Sequence, residues 1–348
     1  MKTLLDMRLP DGRGVVDVLF AALPADQNMP TIIDVGARNG FFLLPPCYTA
    51  RSAMLGFEPN REEYDKLVTG TTDAQRFFGW NTPFKETRFH PYAVWNQDGE
   101  FDFFITNGPG ACTMMGPTTE VARNLFYLYP MSSRRQKSFE ELHSGVVRTT
   151  KVECRRLDAL VDRNTTVDFL KLDVEGGEAN VLAGAKELLA NNQILAVRAE
   201  FQMLHYYREH PVLHVQHRIL DDAGFRLVDL DTAHVRYRQG RFDLPDDCNK
   251  GMLVAGDALY IRDPYRSNLS PVELHRLGIL CISLWYNSFG LFLLERAGLL
   301  SLADIEAIYG VACDTRMMTW RGRVVRAWGR MPYKAFEILS TLKRKLSK

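Results

Sequence analysis

Residues 167–189 read VDFLKLDVEGGEANVLAGAKELL, and this stretch decides the fold of the chain. It begins as a short apolar run with β-branched and aromatic residues, which is typical of a buried strand. The run ends at an acidic cluster formed by Asp173, Glu175 and Glu178, and apolar residues then recur at helical spacing. The pattern therefore predicts a buried strand, a turn that faces a ligand, and a crossover helix.

The acidic cluster is the first candidate for function. In an open parallel sheet the carboxyl ends of the strands line the ligand crevice, so Asp173, Glu175 and Glu178 are expected at its mouth. A carboxylate that ends a buried strand is costly to desolvate unless it meets a ligand or a partner, which favours a functional role for Asp173 and Glu175. For Glu178 a structural role is equally well supported, because the helix dipole favours negative charge in the first turn.

Composition excludes several classes of protein. The 348 residues suit one large domain with an appendage, or two domains, and a net charge of +1 creates no global field toward nucleic acid. The six cysteines show no paired spacing, which argues against a zinc site and against a disulfide framework. Charged residues interrupt the first thirty positions, where a signal peptide would need an apolar run. We therefore expect a cytoplasmic protein.

A glycine loop follows the first predicted strand, TIIDV at residues 31–35. Gly36 and Gly40 let the backbone approach a ligand closely, and backbone amides there can hold a carboxylate or a phosphate. A plain tight turn explains these two glycines equally well. Arg38 stands where a dinucleotide-binding loop would carry its second glycine and admit a pyrophosphate.

An acid ends the second predicted strand, at residues 53–57. Glu58 lies about twenty residues beyond the glycine loop, where a carboxylate can accept hydrogen bonds from both ribose hydroxyls. The structural alternative is a surface salt bridge. The loop and the acid together fit a ligand that carries an amino-acid carboxylate and a ribose, such as S-adenosylmethionine.

The rest of the chain continues the alternation of strands and helices. Further strands are predicted at residues 88–94, 100–106, 193–201, 225–230 and 258–262, with a helix at 212–223. The last two strands can pair in antiparallel fashion. Residues 107–150 show little periodicity and predict a lid over the substrate. The predicted units are an N-terminal helical segment at residues 1–30, a catalytic domain at 31–264 that includes this lid, and a basic helical extension at 265–348.

Four segments resemble the FkbM family of S-adenosylmethionine-dependent methyltransferases. They are IIDVGARNGFF, GFEPN, HPYAVWNQDGEFDFF and FLKLDVEGGEANVLAGA, at residues 32–42, 56–60, 90–104 and 169–185. The resemblance implies a class I, Rossmann-like methyltransferase fold of the α/β class. Such a fold has a seven-stranded, mostly parallel sheet and flanking helices, to which this chain adds a C-terminal helical extension. The family methylates hydroxyl oxygens, commonly on sugars or secondary metabolites.

The resemblance also implies roles for individual residues. The methionine part of the cofactor would be held by the glycine loop, and Glu58 would take the ribose. Ala93 and Val94 would flank the adenine, and the acidic cluster, with Asp173 in contact with cofactor, would line the active site. Arg38 and Asn39 stand where the family often has Asn followed by a variable residue, so both are candidates for cofactor contact. The loop residues concerned are Asp34, Gly36, Arg38, Asn39 and Gly40.

The C-terminal region adds two features outside the resemblance. Residues 277–294 contain no charge and lie near the lower length limit of a membrane-spanning helix, but their polar and glycine residues favour a buried helix. Residues 316–348 carry ten basic residues against the single acid Glu337. Helices of this kind lie on anionic membrane surfaces, although a solvated basic tail is equally compatible. A peripheral location at the inner face of the membrane stays open.

The sequence thus predicts an S-adenosylmethionine-dependent O-methyltransferase that acts on a saccharide or a small metabolite. Asp173, His205 and Glu175 are the candidate catalytic residues, with Asp173 ranked first. No metal site is assigned, although crowded carboxylates can recruit a divalent cation. The expected partner is a small-molecule or glycan acceptor and no nucleic acid, and a homodimer stays open. The alternatives are a nucleic-acid methyltransferase that uses the basic tail, and a non-catalytic cofactor-binding scaffold.

Overall fold

The computed structural model describes residues 3–79, 81–116, 145–207, 210–235 and 250–313. Within these ranges the strands are β1 Thr31–Val35, β2 Ala53–Phe57, β3 Glu86–His90, β4 Ala93–Val94, β5 Gly99–Thr106, β6 Val146–Arg155, β7 Phe169–Leu172, β8 Ala196–Gln202, β9 Phe225–Val235 and β10 Met252–Arg262. The helices are α1 Val15–Ala21, α2 Pro46–Thr49, α3 Arg61–Thr69, α4 Asp73–Phe78, α5 Leu157–Leu160, α6 Glu178–Ala183, α7 Lys186–Ala190, α8 Leu213–Asp222, α9 Pro271–Ser283, α10 Asn287–Ala297 and α11 Leu302–Cys313. Short 3₁₀ helices occur at Leu4–Asp6 and Pro109–Ala111.

The described strands form a seven-stranded sheet in the order β3-β2-β1-β7-β8-β10-β9. All neighbouring pairs are parallel except those made by β10, which runs antiparallel to β8 and β9. The chain moves from β1 toward one edge and returns at β7 to build the other half. This reversal between β1 and β7 opens a crevice at the carboxyl ends of the two strands. The predicted class I methyltransferase fold is confirmed.

Alternate residues of the central strands face two separate helical layers. Ile32 and Phe169 pack with the N-terminal segment and with α9, α10 and α11. Ile33 and Leu170 pack on the other side, with α5, α6, α7 and α8. Both layers cover the sheet, so its central strands are apolar on both faces, as parallel strands usually are.

A buried ion pair joins the C-terminal helices to the sheet at the amino end of β7. The guanidinium of Arg276 on α9 donates to Asp168 through both Nε, over 2.8 Å, and Nη2. Asp168 is fully buried and also accepts a hydrogen bond from the backbone N–H of Thr31 over 2.7 Å. This arrangement fixes β1, β7 and α9 relative to one another at the end of the sheet opposite the crevice.

The structure corrects one predicted strand in the N-terminal half. Residues 88–94 are not one strand, because β3 ends at His90 and β4 belongs to a second sheet of order β4-β6-β5. Pro91 lacks the N–H that would continue the ladder, which explains the break. Residues 117–144 of the predicted lid at 107–150 lie outside the described residues. Residues 146–150, at the end of the predicted lid, belong to strand β6.

Two predicted helices are each divided. The crossover helix consists of α6 and α7, separated at Gly184, where an added Cβ would lie 2.0 Å from the carbonyl oxygen of Trp95. The apolar stretch at 277–294 spans α9 and α10, joined by a turn in which Trp285 has a φ of 72°. None of the helices in the described ranges is long and apolar enough to cross a membrane. The basic region at 316–348 lies outside those ranges.

Candidate active site

The glycine loop and the acidic turn are in direct contact at the carboxyl ends of β1 and β7. The backbone N–H of Asp173 donates to the carbonyl oxygen of Val35 over 3.0 Å, which extends the parallel pairing one residue beyond β7. Gly36 has a φ of +84°, and an added Cβ there would lie 1.9 Å from the carbonyl oxygen of Asp173. Only glycine fits this position, because both the conformation and the space exclude a side chain.

A partly buried lysine links the two strand ends. Lys171 Nζ donates to Asp34 Oδ1 over 2.9 Å and to the carbonyl oxygen of Gly36 over 3.2 Å, and it lies 3.3 Å from Asp173 Oδ2. Burial raises the pKa of Asp34, and the ammonium opposes that shift. Burial also disfavours the ammonium, but the two carboxylates raise the pKa of Lys171 overall. Asp173, whose side chain is 39% exposed, is therefore an ion-paired carboxylate that still faces the crevice.

The next loop residues, Arg38 and Asn39, differ in their contacts. Arg38 Nε donates to Glu63 Oε2 over 3.0 Å, and Nη2 lies 3.5 Å from Asp73 Oδ2. Asn39 keeps its side-chain oxygen buried without a hydrogen-bond partner among the described residues. A buried acceptor without a partner has a free-energy cost, which a ligand donor at this loop would remove.

Glu58 lies beyond the end of β2 and is 6% exposed. Its Oε1 accepts a hydrogen bond from the backbone N–H of Asn60 over 2.8 Å, which orients the carboxyl group. Burial raises the pKa of Glu58 to about 7, although that hydrogen bond opposes the shift. Ala93 and Val94, which are 6% and 2% exposed, form strand β4 of the second sheet.

The acidic turn holds Glu175 in a conformation that is uncommon for a residue with a side chain. Glu175 has a φ of 56°, in the left-handed region. Burial, and then the neighbouring charges of Asp173 and Glu178, raise the pKa of Glu175 well above its ordinary value. A raised pKa makes the ionised carboxylate a stronger base, which suits Glu175 to accept a proton.

A third carboxylate joins this site from strand β8. Oxygen atoms of Asp173, Glu175 and Glu200 all lie within 4.8 Å of one another. Glu200 Oε2 is buried without a partner among the described residues, and burial raises the pKa of Glu200 well above its ordinary value. Within the described ranges, these three residues form the one group with oxygen ligands close enough to hold a divalent cation.

The two remaining candidates are placed differently. Glu178 is 3% exposed and its Oε1 accepts from the backbone N–H of Val174 over 2.9 Å, so it caps its own turn. Burial raises the pKa of Glu178 to about 7. His205 lies on the segment after β8, and its Nδ1 is 3.1 Å from the carbonyl oxygen of His210.

Sequence reasoning did not assign Glu200, Lys171 or Tyr207 to the site. Glu200 is near the end of a buried strand, so the rule that selected Asp173 also applies to it. Lys171 is a charge inside an apolar strand, and such a charge requires a partner. Tyr207, whose hydroxyl lies 3.1 Å from Glu175 Oε2, carries no local signal.

The residues present fit S-adenosylmethionine on grounds of geometry. The backbone at Gly36 closely approaches the acidic turn after β7, and this contact is possible only because no side chain stands there. The side-chain oxygen of Asn39, which has no partner among the described residues, can accept from an ammonium group, and the buried carboxylate of Glu58 can accept from ribose hydroxyls. These groups follow β1 and β2, the strands beside the crevice.

Comparison with known proteins gives a match to a family and distant structural likenesses. A comparison with curated proteins found no match. Magnesium protoporphyrin IX methyltransferase from Synechocystis PCC 6803, solved with bound cofactor, is 13% identical, with 71% of this chain and 78% of that chain covered and a TM-score of 0.30. Precorrin-6y C5,15-methyltransferase from Geobacter metallireducens GS-15 is 8% identical, with coverages of 71% and 87% and a TM-score of 0.30.

The family match is to the FkbM methyltransferase domain, which matches residues 34–227, more than half of the chain. The matched range contains the glycine loop, Glu58, the acidic turn and Glu200. The chain therefore belongs to the FkbM family of methyltransferases, and its cofactor is S-adenosylmethionine.

Proposed function

We propose that the protein transfers the methyl group of S-adenosylmethionine to a hydroxyl oxygen of a saccharide or a small metabolite. The observation that carries this proposal is the meeting of Asp173, Glu175 and Glu200 at the carboxyl ends of β7 and β8. One of these carboxylates is open to the crevice, and burial raises the pKa of the other two. An alcohol needs such a base, because it is a poor nucleophile until its proton begins to leave.

The residues that would hold the cofactor follow β1 and β2 or form β4. Gly36 and Gly40 would admit the methionine part to the loop backbone, and Glu58 would accept hydrogen bonds from the ribose. Ala93 and Val94 would contact the adenine. When bound, the cofactor supplies an electrophilic methyl group on a cationic sulfur.

The protein residues act mainly by positioning the acceptor. Asp173 is held rigidly by Lys171 and by the end of β7, and it orients the acceptor hydroxyl by accepting its hydrogen bond. Orientation of two reactants can lower a barrier by about 7–11 kcal/mol. The carboxylate cluster would accept the proton that the acceptor hydroxyl loses on methylation. A positioned base adds about 10²–10⁴-fold in rate.

The class of product tests this proposal. The full chain is incubated with S-adenosylmethionine carrying an isotopically labelled methyl group and with a pool of saccharides and small metabolites. We expect label in an ether linkage that survives mild alkali, with stoichiometric S-adenosylhomocysteine. Label found only in alkali-labile esters or on nitrogen would contradict hydroxyl methylation.

A matched variant identifies the site that makes the product. Asp173→Asn keeps the shape of the side chain and removes its charge, so the labelled ether should be lost. Asp158→Asn, a change of the same kind at a carboxylate that caps α7 through the backbone N–H groups of Glu187 and Leu188, is the control.

A further inference from the structure

The segment after β8 packs against the acidic turn. Tyr207 is 1% exposed, and its hydroxyl donates a hydrogen bond to Glu175 Oε2 over 3.1 Å. The ring also packs against Gly176, where an added Cβ would lie 2.8 Å from Tyr207 Cδ2. One buried side chain thus contacts both the carboxylate of Glu175 and the backbone that follows it.

A second hydroxyl holds the same residue from another direction. Thr113 Oγ1 donates to the backbone carbonyl oxygen of Glu175 over 2.8 Å. The left-handed conformation of Glu175 costs free energy and persists only where the surroundings enforce it. Such conformations are concentrated at functional sites. Glu175 is therefore fixed at its carboxylate by Tyr207 and at its backbone by Thr113.

His210 in turn fixes Tyr207. The imidazole is 1% exposed, and its Nδ1 lies 3.2 Å from both the backbone nitrogen and the backbone oxygen of Tyr207. The two rings meet edge to face with centroids 5.8 Å apart. Burial lowers the pKa of His210, which favours the neutral ring, and a neutral Nδ1 can accept the N–H of Tyr207. Tyr207 is thereby held by contacts at its backbone and its ring.

Charged side chains from several elements surround Glu175. Asp173 and Glu178 face it from the same turn, and Glu200 faces it from β8. The positive charge of Arg38, from the loop after β1, acts on Glu175 and also on Glu58. Oxygen atoms of Glu175, Asp173 and Glu200 lie within 4.8 Å of one another at the carboxyl ends of β7 and β8, where the crevice opens.

We propose that Tyr207 is a positioning residue, whose hydroxyl holds the Glu175 carboxylate toward the point at which the methyl group is transferred. The proposal rests on the proposed function, because it takes Glu175 as a group that faces the reacting methyl. It adds a residue for which neither the family match nor the sequence pattern supplies a role.

The test uses two cofactor analogues and requires no acceptor. Sinefungin carries an ammonium group on carbon where the cofactor carries its methyl group on sulfur, whereas S-adenosylhomocysteine carries neither group. The ratio of their dissociation constants therefore reports a negative group held at the transfer point. Calorimetry on the full chain should show that Tyr207→Phe lowers the preference for sinefungin by about tenfold, the size expected for a hydrogen bond that orients a charged group.

Three further variants separate positioning from general damage to the structure. Glu175→Gln should lower the preference for sinefungin to a similar extent, and adding Tyr207→Phe to it should have no further effect. Tyr260→Phe is the matched control, because Tyr260 is also fully buried and its hydroxyl has no hydrogen-bond partner in the described ranges. It should leave the preference for sinefungin unchanged.

Three results would overturn the proposal. An unchanged preference in folded Tyr207→Phe overturns the proposal, and so does an additive effect in the double variant. If Tyr207→Phe does not fold, an unchanged preference in Glu175→Gln alone overturns it. Failure of hydroxyl methylation is seen separately in the linkage of the labelled product, which these binding measurements do not involve.

Discussion

Binding of S-adenosylmethionine is expected to depend on pH through one buried carboxyl group, Glu58. Burial raises its pKa to about 7, so the free protein carries a proton on this group below that pH. The ribose hydroxyls donate hydrogen bonds best to the ionised form, and binding should therefore release the proton. Below pH 7 the dissociation constant should rise by about tenfold per pH unit, since one pKa unit corresponds to about 1.4 kcal/mol.

Calorimetry between pH 8 and pH 6 measures this dependence directly. We expect a constant dissociation constant above pH 7.5 and a value about tenfold higher at pH 6. Glu58→Gln should remove the dependence, and Glu58→Ala should weaken binding at pH 8 by about 1.5–3 kcal/mol, the range for a hydrogen bond to a charged group. Glu62→Gln, at a carboxylate whose side chain is 73% exposed, should leave both properties unchanged.

The same group should affect the stability of the free protein, and the sign can be worked out. A raised pKa means that the folded state binds more protons than the unfolded state between pH 4.5 and about 7. The contribution of Glu58 to stability is therefore full below pH 4.5 and is lost as the pH rises to about 7, by up to about 3 kcal/mol. Glu58→Gln should flatten this part of the stability profile. A wild-type dissociation constant that is equal at pH 8 and pH 6, or a Gln variant with the wild-type dependence, would refute the reasoning.

Three further predictions concern the frame of the site and the tail. Gly36→Ala should abolish cofactor binding in calorimetry, because the added Cβ would overlap the carbonyl oxygen of Asp173. Gly79→Ala, which has open space around its Cβ, should lower the free energy of unfolding in urea by only about 1 kcal/mol. Asp168→Asn should destabilise the protein by about 3–5 kcal/mol, because it leaves Arg276 charged and buried. Asp221 forms an exposed ion pair with Arg266, so Asp221→Asn should destabilise the protein by at most about 1 kcal/mol. Truncation after Arg330 should leave cofactor affinity intact and reduce sedimentation with anionic vesicles, and undiminished sedimentation would contradict a membrane role for this region.

Local sequence pattern was sufficient to predict the elements that would hold the cofactor. Strands β1 and β2 have the predicted bounds, because each is a short apolar run ended by a clear signal, a glycine loop for one and an acid followed by proline for the other. The acidic turn also follows its strand as predicted. These features depend on neighbouring residues, so a single sequence contains the information that determines them.

Features that depend on tertiary contacts were not predicted. The break at Gly184 arises from a close approach to Trp95, and the division of residues 277–294 allows α9 and α10 to pack where Gly278 and Gly290 meet. The contact between Tyr207 and Glu175 joins residues 32 positions apart. Glu200 reaches Asp173 only because β7 and β8 are neighbours in the sheet. Strand order, which is a global property, decides which strand ends form the site.

We propose that the acidic turn after β7 performs the chemical step while the loop after β1 and Glu58 hold the cofactor. The most direct test measures S-adenosylmethionine affinity and single-turnover label transfer on the same preparations of wild type, Asp173→Asn and His205→Gln. We predict that Asp173→Asn binds the cofactor with nearly unchanged affinity and loses label transfer by about 10²-fold or more. Near-normal transfer in Asp173→Asn, together with loss of transfer in His205→Gln, would contradict the claim and make the carboxylate cluster structural.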